Sequence, residues 1–251
     1  MTDETGLVLR VTFKHVMPLK THTPAPRAFT HVETWVFDLD NTLYPREINL
    51  WQQVDVRIRD YVAQFLKVST DDAYRIQKDY YLRYGTTMRG MMEEHAMDHQ
   101  AYLDFVHTID HSLLEPNPAL GHAIAALPGR KLILTNGTVA HAEAVLKRLD
   151  IDTHFEGIFD IVAGELEPKP APQTYDKFLA RHGVDPKRAA MFEDLARNLE
   201  VPHQRGMTTV FIVPKGDDMA GRQTWEAEGR DAAHVDYVTD DLTAFLKRIV
   251  A

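Results

Sequence analysis

The sequence lacks several features that would point to other classes of protein. None of its 251 residues is a cysteine, which excludes disulfides, thiol catalysis and zinc sites with thiolate ligands. No stretch approaches the roughly 20 apolar residues that a membrane-spanning helix needs. The first residues show no basic patch followed by an apolar core, so we expect no secretion signal and a cytoplasmic location.

Positive charge is also scarce. Lysine and arginine number 28 against 37 aspartate and glutamate residues, and the formal net charge of −9 argues against nonspecific binding to nucleic acid or anionic membranes. Hydrophobic residues make up 44% of the chain and charged residues 26%, a balance that permits a full globular core. This length suits one large domain or a domain with an insertion.

The hydrophobic pattern divides the chain into three parts. Residues 1–30 have no persistent periodicity and are interrupted by prolines, which predicts an irregular N-terminal arm. Residues 46–115 repeat apolar side chains at three- and four-residue spacing and contain no convincing strand, so we predict a helical insert. Residues 31–45 and 116–251 alternate apolar runs with helical patterns, which indicates an α/β core with a parallel, doubly wound sheet.

The same patterns predict the individual elements. The predicted strands of the core are 32–39, 131–135, 158–162, 189–192, 208–213 and 235–238. The predicted helices of the core are 117–127, 138–149, 172–182, 195–204 and 241–250. In the insert we predict one helix around 51–65, a second capped by Ser69 or Thr70 that ends at Gly85, a linker over 85–92, and further helix around 98–109.

Two acids lie at the C-terminal end of the first predicted strand. The apolar run 35–37 ends at Asp38, and Asp40 comes two residues later, so both side chains point to the same side of an extended chain. Ligands of open α/β sheets gather at such strand ends, and two adjacent carboxylates attract a hard cation such as Mg²⁺. An aspartate that merely starts a turn gives the same short pattern, so this segment alone does not distinguish the two.

A hydroxyl, an amide and a glycine lie where the second predicted strand turns into a helix, as Thr135, Asn136 and Gly137. Glycine lets the backbone approach a ligand closely, and the N terminus of the next helix offers free N–H groups to an anion. An ordinary strand-to-helix turn capped by Asn136 or Thr138 explains the same residues.

Two further segments carry charge. Lys169 lies between Pro168 and Pro170, which stiffen its loop, and a lysine there could supply positive charge to a phosphate and to a carboxylate. Glu193 and Asp194 end the fourth predicted strand and bring a second acid pair to the same edge of the sheet. The ordinary alternatives are a solvated lysine and an acid that caps the following helix.

The order of acid pair, threonine, lysine and acid pair resembles the haloacid dehalogenase-like hydrolase superfamily, over nearly all of residues 32–250. The stretch 37–45 (Phe-Asp-Leu-Asp-Asn-Thr-Leu-Tyr-Pro) and the segment 84–90 (Tyr-Gly-Thr-Thr-Met-Arg-Gly) resemble its pyrimidine 5′-nucleotidase branch. The resemblance implies a Rossmann-like core, and it implies that the helical insert is a cap that covers the active site and shapes specificity, as in subfamily I.

The resemblance also implies the roles of individual residues. Asp38 is expected to be the nucleophile that forms an aspartyl-phosphate, and Asp40 to protonate the leaving oxygen and then activate water. We therefore expect Asp40 to be at least partly protonated when substrate is bound.

The residues expected to bind phosphate oxygens are Thr135, Asn136 and Lys169. Mg²⁺ is expected on Asp38, on the backbone carbonyl of Asp40 and on Asp194, with Glu193 acting through water. Candidate substrate contacts are Tyr44, Thr86, Thr87 and Arg89, although a plain surface arginine explains Arg89 equally well. Supporting residues are Asn41 and Thr42 in the first loop and Asn198, which could orient the metal ligands or lie on a helix surface.

The implied function is Mg²⁺-dependent hydrolysis of a small phosphate ester, most specifically a pyrimidine nucleoside 5′-monophosphate, by a monomer or homodimer. Asp40 favours phosphatase over dehalogenase chemistry, because a halide leaves without a proton. The alternatives are a phosphatase for phosphoglycolate or sugar phosphates, a phosphomutase, and a catalytically silent binding protein. Two histidine pairs, His95 with His99 and His107 with His111, have i,i+4 spacing but no evident third ligand, so we expect them to be solvated or packed.

Overall fold

The computed structural model describes residues 28–215 and 229–250. Its strands are Thr34–Phe37 (β1), Arg130–Leu134 (β2), Gly157–Phe159 (β3), Ala189–Glu193 (β4), Thr208–Ile212 (β5) and Tyr237–Thr239 (β6). They form one sheet of order β3-β2-β1-β4-β5-β6 in which every neighbouring pair is parallel. The predicted parallel, doubly wound sheet is confirmed. The predicted irregular arm lies outside the described residues, apart from a turn at 28–30.

Strands β1 and β4 are buried along their whole length, as parallel strands covered on both faces must be. Successive side chains of β1 therefore enter different hydrophobic clusters. Phe37 packs on one face, where its ring stacks on that of Phe192 with centroids 4.7 Å apart. Val36 packs on the other face with Met191. The strand order runs from β1 to β2 and β3 on one side of the sheet and from β1 to β4, β5 and β6 on the other. The order reverses between β1 and β4, and ligands of such sheets bind at the carboxyl ends of the two strands that flank this point.

Residues 46–115, the predicted insert, form helices in the structure and contain no strand. Its helices are Leu50–Leu66 (α1), Thr70–Tyr84 (α2), Thr87–His95 (α3) and His99–Val106 (α4), with single 3-10 turns at Arg46–Ile48 and His111–Leu113. Their apolar faces build a separate cluster that includes Val62, Ala73, Met91 and Tyr102 and that meets the core at Ile161. The side chain of Ser69 accepts a hydrogen bond from the backbone of Asp72 and caps α2, as predicted.

The core helices are Pro118–Ala125 (α5), Val139–Arg148 (α6), Pro172–His182 (α7), Glu200–Arg205 (α8) and Leu242–Ile249 (α9). Asn117 caps α5 through its side chain, and Pro118 occupies the first turn, as the sequence predicts. Among the described residues, no helix is long and apolar enough to cross a membrane.

Several predicted boundaries differ from the structure by one or more residues, and three of the differences have an identifiable local cause. The linker predicted over 85–92 is helical from Thr87, because the hydroxyl of Thr86 caps α3. The strand predicted over 158–162 ends at Phe159, because the side chain of Asp160 accepts the backbone N–H groups of Ala163 and Val139 and turns the chain. The helix predicted over 195–204 opens as a 3-10 turn, Ala196–Leu199, before α8 begins.

Candidate active site

A cavity of about 370 Å³ lies between the carboxyl edge of the sheet and the helical insert. The residues that line it from the sheet side include Asp38, Asp40, Thr135, Asn136, Lys169 and Asp194. Those that line it from the insert include Trp51, Val54, Gln77, Thr86, Thr87 and Tyr102. The structure therefore brings together at one cavity the acid pairs, the threonine and the lysine that lie far apart in the sequence.

Asp38 is the first residue after β1 and is held on both carboxylate oxygens. Oδ1 accepts a hydrogen bond from Lys169 Nζ at 2.7 Å, and Oδ2 accepts one from Thr42 Oγ1 at 2.9 Å. Its backbone N–H donates to the carbonyl of Phe192 at 2.9 Å and continues the ladder past the end of the strand. These contacts fix the orientation of the carboxylate toward the cavity, and Thr42 supports the loop as predicted.

Lys169 is almost completely buried, with 1% of its surface exposed. Besides Asp38, its ammonium group donates to Glu193 Oε2 at 2.7 Å and to the carbonyl of Leu134 at 2.9 Å. Burial lowers the pKa of Lys169, but the charges of Asp38 and Glu193 outweigh burial and raise it, so the group is cationic. An ammonium has three donors. All three are used by the protein, which leaves the predicted phosphate contact of Lys169 without a free donor.

Asn136 explains how a lysine from a loop reaches the sheet edge. Its side-chain Oδ1 accepts the backbone N–H of Lys169 at 2.8 Å, and its Nδ2 donates to the carbonyl of Lys169 at 3.3 Å. The side-chain amide thus holds the lysine backbone in the way that a neighbouring strand would. Thr135 lines the cavity, and its hydroxyl accepts the backbone N–H of Gly137 at 2.9 Å; its contact with phosphate stays a prediction.

A cluster of acids lies beside the lysine. Carboxylate oxygens of Asp38, Glu193 and Asp194 all come within 4.8 Å of one another, and all three residues are buried. Burial and the charge of Glu193 raise the pKa of Asp38 to about 7, although Lys169 acts in the opposite direction. One lysine therefore does not neutralise the cluster, and an additional cation would favour the ionised carboxylate.

The donor set of this cluster fits Mg²⁺, which prefers oxygen ligands. Glu193, which we expected to act through water, is itself one of the three clustered acids, with Oε2 bound to Lys169 and Oε1 to the backbone of Leu195 at 3.3 Å. The side chain of Asp40 is not part of the cluster. Asn198 lines the same cavity, and its Oδ1 is buried without a hydrogen-bond partner among the described residues.

Asp40 has different surroundings from Asp38. Its Oδ1 accepts a hydrogen bond from Tyr44 Oη at 2.5 Å and contacts His141 Nε2 at 2.9 Å. Burial raises the pKa of Asp40, but the positive charge and hydrogen bond of His141, together with Tyr44, outweigh burial and lower it. The partial protonation that we expect with substrate bound must therefore come from the negative charge of the phosphate, which raises the pKa of a nearby acid.

His141 is a site residue that the sequence analysis missed. It lies in the first turn of α6, where its backbone N–H donates to the cap residue Thr138 at 3.2 Å. Its Nδ1 lies 3.2 Å from His111 Nε2, and its ring stacks on that of His107 with centroids 4.9 Å apart. A usable signal was present: side chains of a first helical turn tilt back toward the N terminus of the helix, which here points at the sheet edge.

The histidines of the insert are half-buried or exposed. His107 is partly buried, and burial together with the charge of His141 lowers its pKa to about 4. His95 contacts the hydroxyl of Tyr80 at 2.8 Å. In the described part of the chain, the potential metal ligands that lie close together are the three clustered acids, and this group contains no histidine.

The predicted substrate contacts separate into two groups. Thr86 and Thr87 line the cavity, although the hydroxyl of Thr87 already donates to the carbonyl of Gln77 at 3.0 Å. Tyr44 does not line this cavity and binds Asp40 instead. Arg89 does not line it either, because its guanidinium pairs with Glu93 at 2.6 Å and Glu167 at 3.0 Å.

Comparison with known proteins agrees with this geometry. The sequence model of the haloacid dehalogenase-like hydrolases matches residues 32–202. The chain belongs to this family. The resemblance to the haloacid dehalogenase-like superfamily is thereby confirmed, and the matched segment contains both acid pairs, Thr135 and Lys169.

Individual relatives are more distant. The chain is 27% identical over 196 residues to "Phosphate metabolism protein 8" of Saccharomyces cerevisiae, an alignment that covers 71% of this chain and 59% of the yeast protein. The chain therefore spans about three fifths of that relative's length.

Two solved structures share the fold of this haloacid dehalogenase-like hydrolase. A phosphatase of the family from Thermococcus onnurineus superposes with a TM-score of 0.55 at 18% identity, covering 88% of this chain and 98% of the other. The L-2-haloacid dehalogenase of Xanthobacter autotrophicus superposes with a TM-score of 0.53 at 16% identity, covering 86% and 97%. At these identities the likeness concerns the fold alone.

Proposed function

We propose that this hydrolase cleaves phosphomonoesters through an aspartyl-phosphate on Asp38 and that its preferred substrates are pyrimidine nucleoside 5′-monophosphates. The observation that carries the proposal is the orientation of Asp38, which Lys169 and Thr42 hold at the cavity with the acid Asp40 two residues away. The name of the yeast relative, which refers to phosphate metabolism, supports phosphate chemistry.

The residues present can perform both halves of the reaction. The Asp38 carboxylate attacks phosphorus, the bond from phosphorus to the ester oxygen breaks, and Asp40 gives that oxygen a proton. Asp40 then takes a proton from a water molecule that attacks the phosphorus. This second step breaks the bond to Asp38 and releases inorganic phosphate. Asp40 suits phosphate esters better than halides, because an alkoxide needs the proton that a halide does not.

Asp38 and Asp194 would hold Mg²⁺ together with the backbone carbonyl of Asp40, and Glu193 lies in the same cluster. When bound, the ion supplies positive charge that offsets the repulsion between the Asp38 carboxylate and the phosphate anion. We expect EDTA to abolish activity and added Mg²⁺ to restore it. Full activity in metal-free buffer would contradict this part of the proposal.

The shape of the cavity supports a substrate larger than phosphate itself. A volume of about 370 Å³ lies within the range of small-molecule sites. The wall that the insert contributes to the cavity contains aromatic side chains, including Trp51, Tyr81 and Tyr102, together with the polar groups of Asp55 and Gln77. Aromatic faces stack on nucleobases, and amide and carboxylate groups can accept hydrogen bonds from base N–H groups. Thr86 and Thr87 remain candidate contacts on this wall.

A substrate panel tests the specificity. We expect higher kcat/KM for UMP and CMP than for AMP, GMP, phosphoglycolate and sugar phosphates. A preference for phosphoglycolate or sugar phosphates would show that the substrate is not a nucleotide but would leave the phosphatase chemistry in place. A phosphomutase would need a bisphosphate and would hydrolyse its phosphoenzyme slowly. Absence of turnover across a broad phosphate-ester panel with Mg²⁺ would favour a binding protein. The cytoplasmic location and the monomeric or dimeric state stay predictions.

A further inference from the structure

The second acid, Asp40, is held at one oxygen only. Tyr44 Oη lies 2.5 Å from Oδ1 and His141 Nε2 lies 2.9 Å from the same atom. These two partners approach from different parts of the chain, one from the loop after β1 and the other from the first turn of α6. Among the hydrogen bonds of the described residues, none engages Oδ2. Because two donors on one oxygen resist rotation of a carboxylate, Oδ2 has a defined direction.

His141 is itself held in place by the helical insert. Its side chain has no exposed surface. Its Nδ1 faces His111 Nε2 at 3.2 Å, and its ring stacks on His107. When His141 is protonated, Nε2 donates to Asp40 and Nδ1 donates to His111 Nε2; when it is neutral, Nε2 still donates to Asp40 and the His111 ring donates to Nδ1. The contact therefore extends from the insert, through His141, to the carboxylate of Asp40.

We propose that His141 is a positioning residue for the acid–base step, and that with Tyr44 it fixes Oδ1 of Asp40 so that Oδ2 faces the oxygen of the leaving group. This inference rests on the proposed phosphatase function. It adds a residue that is not one of the four sequence motifs, and it gives the insert a part in catalysis, because His107 and His111 contact the histidine that orients Asp40.

The proposal predicts a dependence on the leaving group. A poorly aimed acid slows the departure of a basic alkoxide, which needs a proton, but hardly slows that of p-nitrophenolate, which leaves without one. The parameter kcat/KM reports the steps up to formation of the phosphoenzyme and is insensitive to its later hydrolysis. A purely structural defect would lower kcat/KM equally for both esters.

The test compares His141→Ala with the wild type on UMP, glycerol phosphate and p-nitrophenyl phosphate. We expect kcat/KM to fall about 100-fold for the two alkyl esters and only a few-fold for the aryl ester. His141→Gln, whose amide can still donate to Asp40, should recover part of the loss. His95→Ala is the matched control, since His95 also contacts a tyrosine hydroxyl but lies outside the cavity lining, and it should behave as wild type.

Tyr44→Phe provides a second variant that preserves packing, in case His141→Ala does not fold. It should show the same preference for the aryl ester with a smaller loss. An equal loss on alkyl and aryl esters in both variants, or no loss in either, would overturn the proposal.

One outcome separates this inference from the proposed function. If the wild type cleaves neither these three esters nor any other in a broad phosphate-ester panel with Mg²⁺, the phosphatase function is wrong, and a direct measurement then decides the contact. A proton bound to His141 Nε2 and hydrogen-bonded to a carboxylate should give a downfield NMR signal that shifts in Asp40→Asn and disappears in His141→Gln. The absence of such a signal in the wild type would refute the positioning contact on its own.

Discussion

The two walls of the cavity are built differently. On the sheet side, charged groups are buried and satisfy one another: Lys169 bridges Asp38 and Glu193 with side chains that are 9% exposed or less. On the insert side, the ion pair that lines the cavity, Lys78 with Asp55 at 2.6 Å, is more open to solvent, with side chains 17% and 31% exposed. The sheet wall thus holds a preorganised set of charges on rigid strand ends, whereas the insert offers shape. We therefore expect substitutions on the sheet wall to change the rate of the reaction and substitutions on the insert wall to change the choice of substrate, and the following variants test this.

The largest effect should come from the nucleophile. Asp38→Asn should keep the fold, because Thr42 and the backbone contacts persist, yet lose at least about 10³ in kcat when a covalent nucleophile is removed. The same exchange on the facing wall, Asp55→Asn, should keep kcat within about tenfold and act mainly on KM. Steady-state kinetics on the preferred ester measures both. Comparable losses in the two variants would remove the division between the walls.

The second effect concerns stability. Lys169→Met leaves the carboxylates of Asp38 and Glu193 buried without their cation, and the free energy of unfolding should fall by about 3–5 kcal/mol. Lys177→Met is the control, because its pair with Glu165 at 2.7 Å has an acid that is 77% exposed. Such surface pairs contribute at most about 1 kcal/mol. Urea unfolding measures the difference, and equal destabilisation would show that burial of the pair has no energetic consequence.

Packing within the insert is the third test. A Cβ atom at Gly90 would overlap the side chain of Tyr80, so Gly90→Ala should cost about 1–3 kcal/mol through overpacking. Gly121, in α5, is the matched helical control, since the nearest atoms to its Cβ would lie at an ordinary 3.4 Å. Gly121→Ala should instead gain about 0.5–1 kcal/mol of helix propensity. Thermal unfolding that ranks the two variants in the opposite order would contradict the packing of α3 on α2.

The last effect is a pH dependence, which is confined to mildly acidic conditions. The pKa of His107 falls from 6.5 to about 4 in the folded protein. As the pH falls, the unfolded chain therefore binds a proton at His107 before the folded protein does, and this favours unfolding. The stabilisation that neutral His107 gives the folded state is complete above pH 6.5 and is lost as the pH falls toward 4. This amounts to about 2 kcal/mol at pH 5. His107→Phe should flatten the decline in unfolding free energy between pH 7 and pH 5 by that amount. An unchanged slope would show that His107 is not held in its neutral form.

Local patterns in the sequence were sufficient for the sheet and for the acids at its edge. Asp38 and Asp194 could be located because a carboxylate at the end of a buried apolar run is visible within a few residues, and strands alternating with helices leave few arrangements. The family follows from the order of these segments and is confirmed by the comparison. The roles of the site residues stay predictions until variants are measured.

Contacts between distant segments were beyond such patterns. His141 meets Asp40 across 101 positions of sequence, and Lys169 meets Asp38 across 131. Arg89 pairs with glutamates, and the Asn136 side chain binds backbone, because each polar group takes the best partner that folding brings within reach. The spacing and type of the residues in a segment indicate its secondary structure and the side chains on each of its faces. Which group it meets depends on how the layers pack, and that is a property of the whole chain.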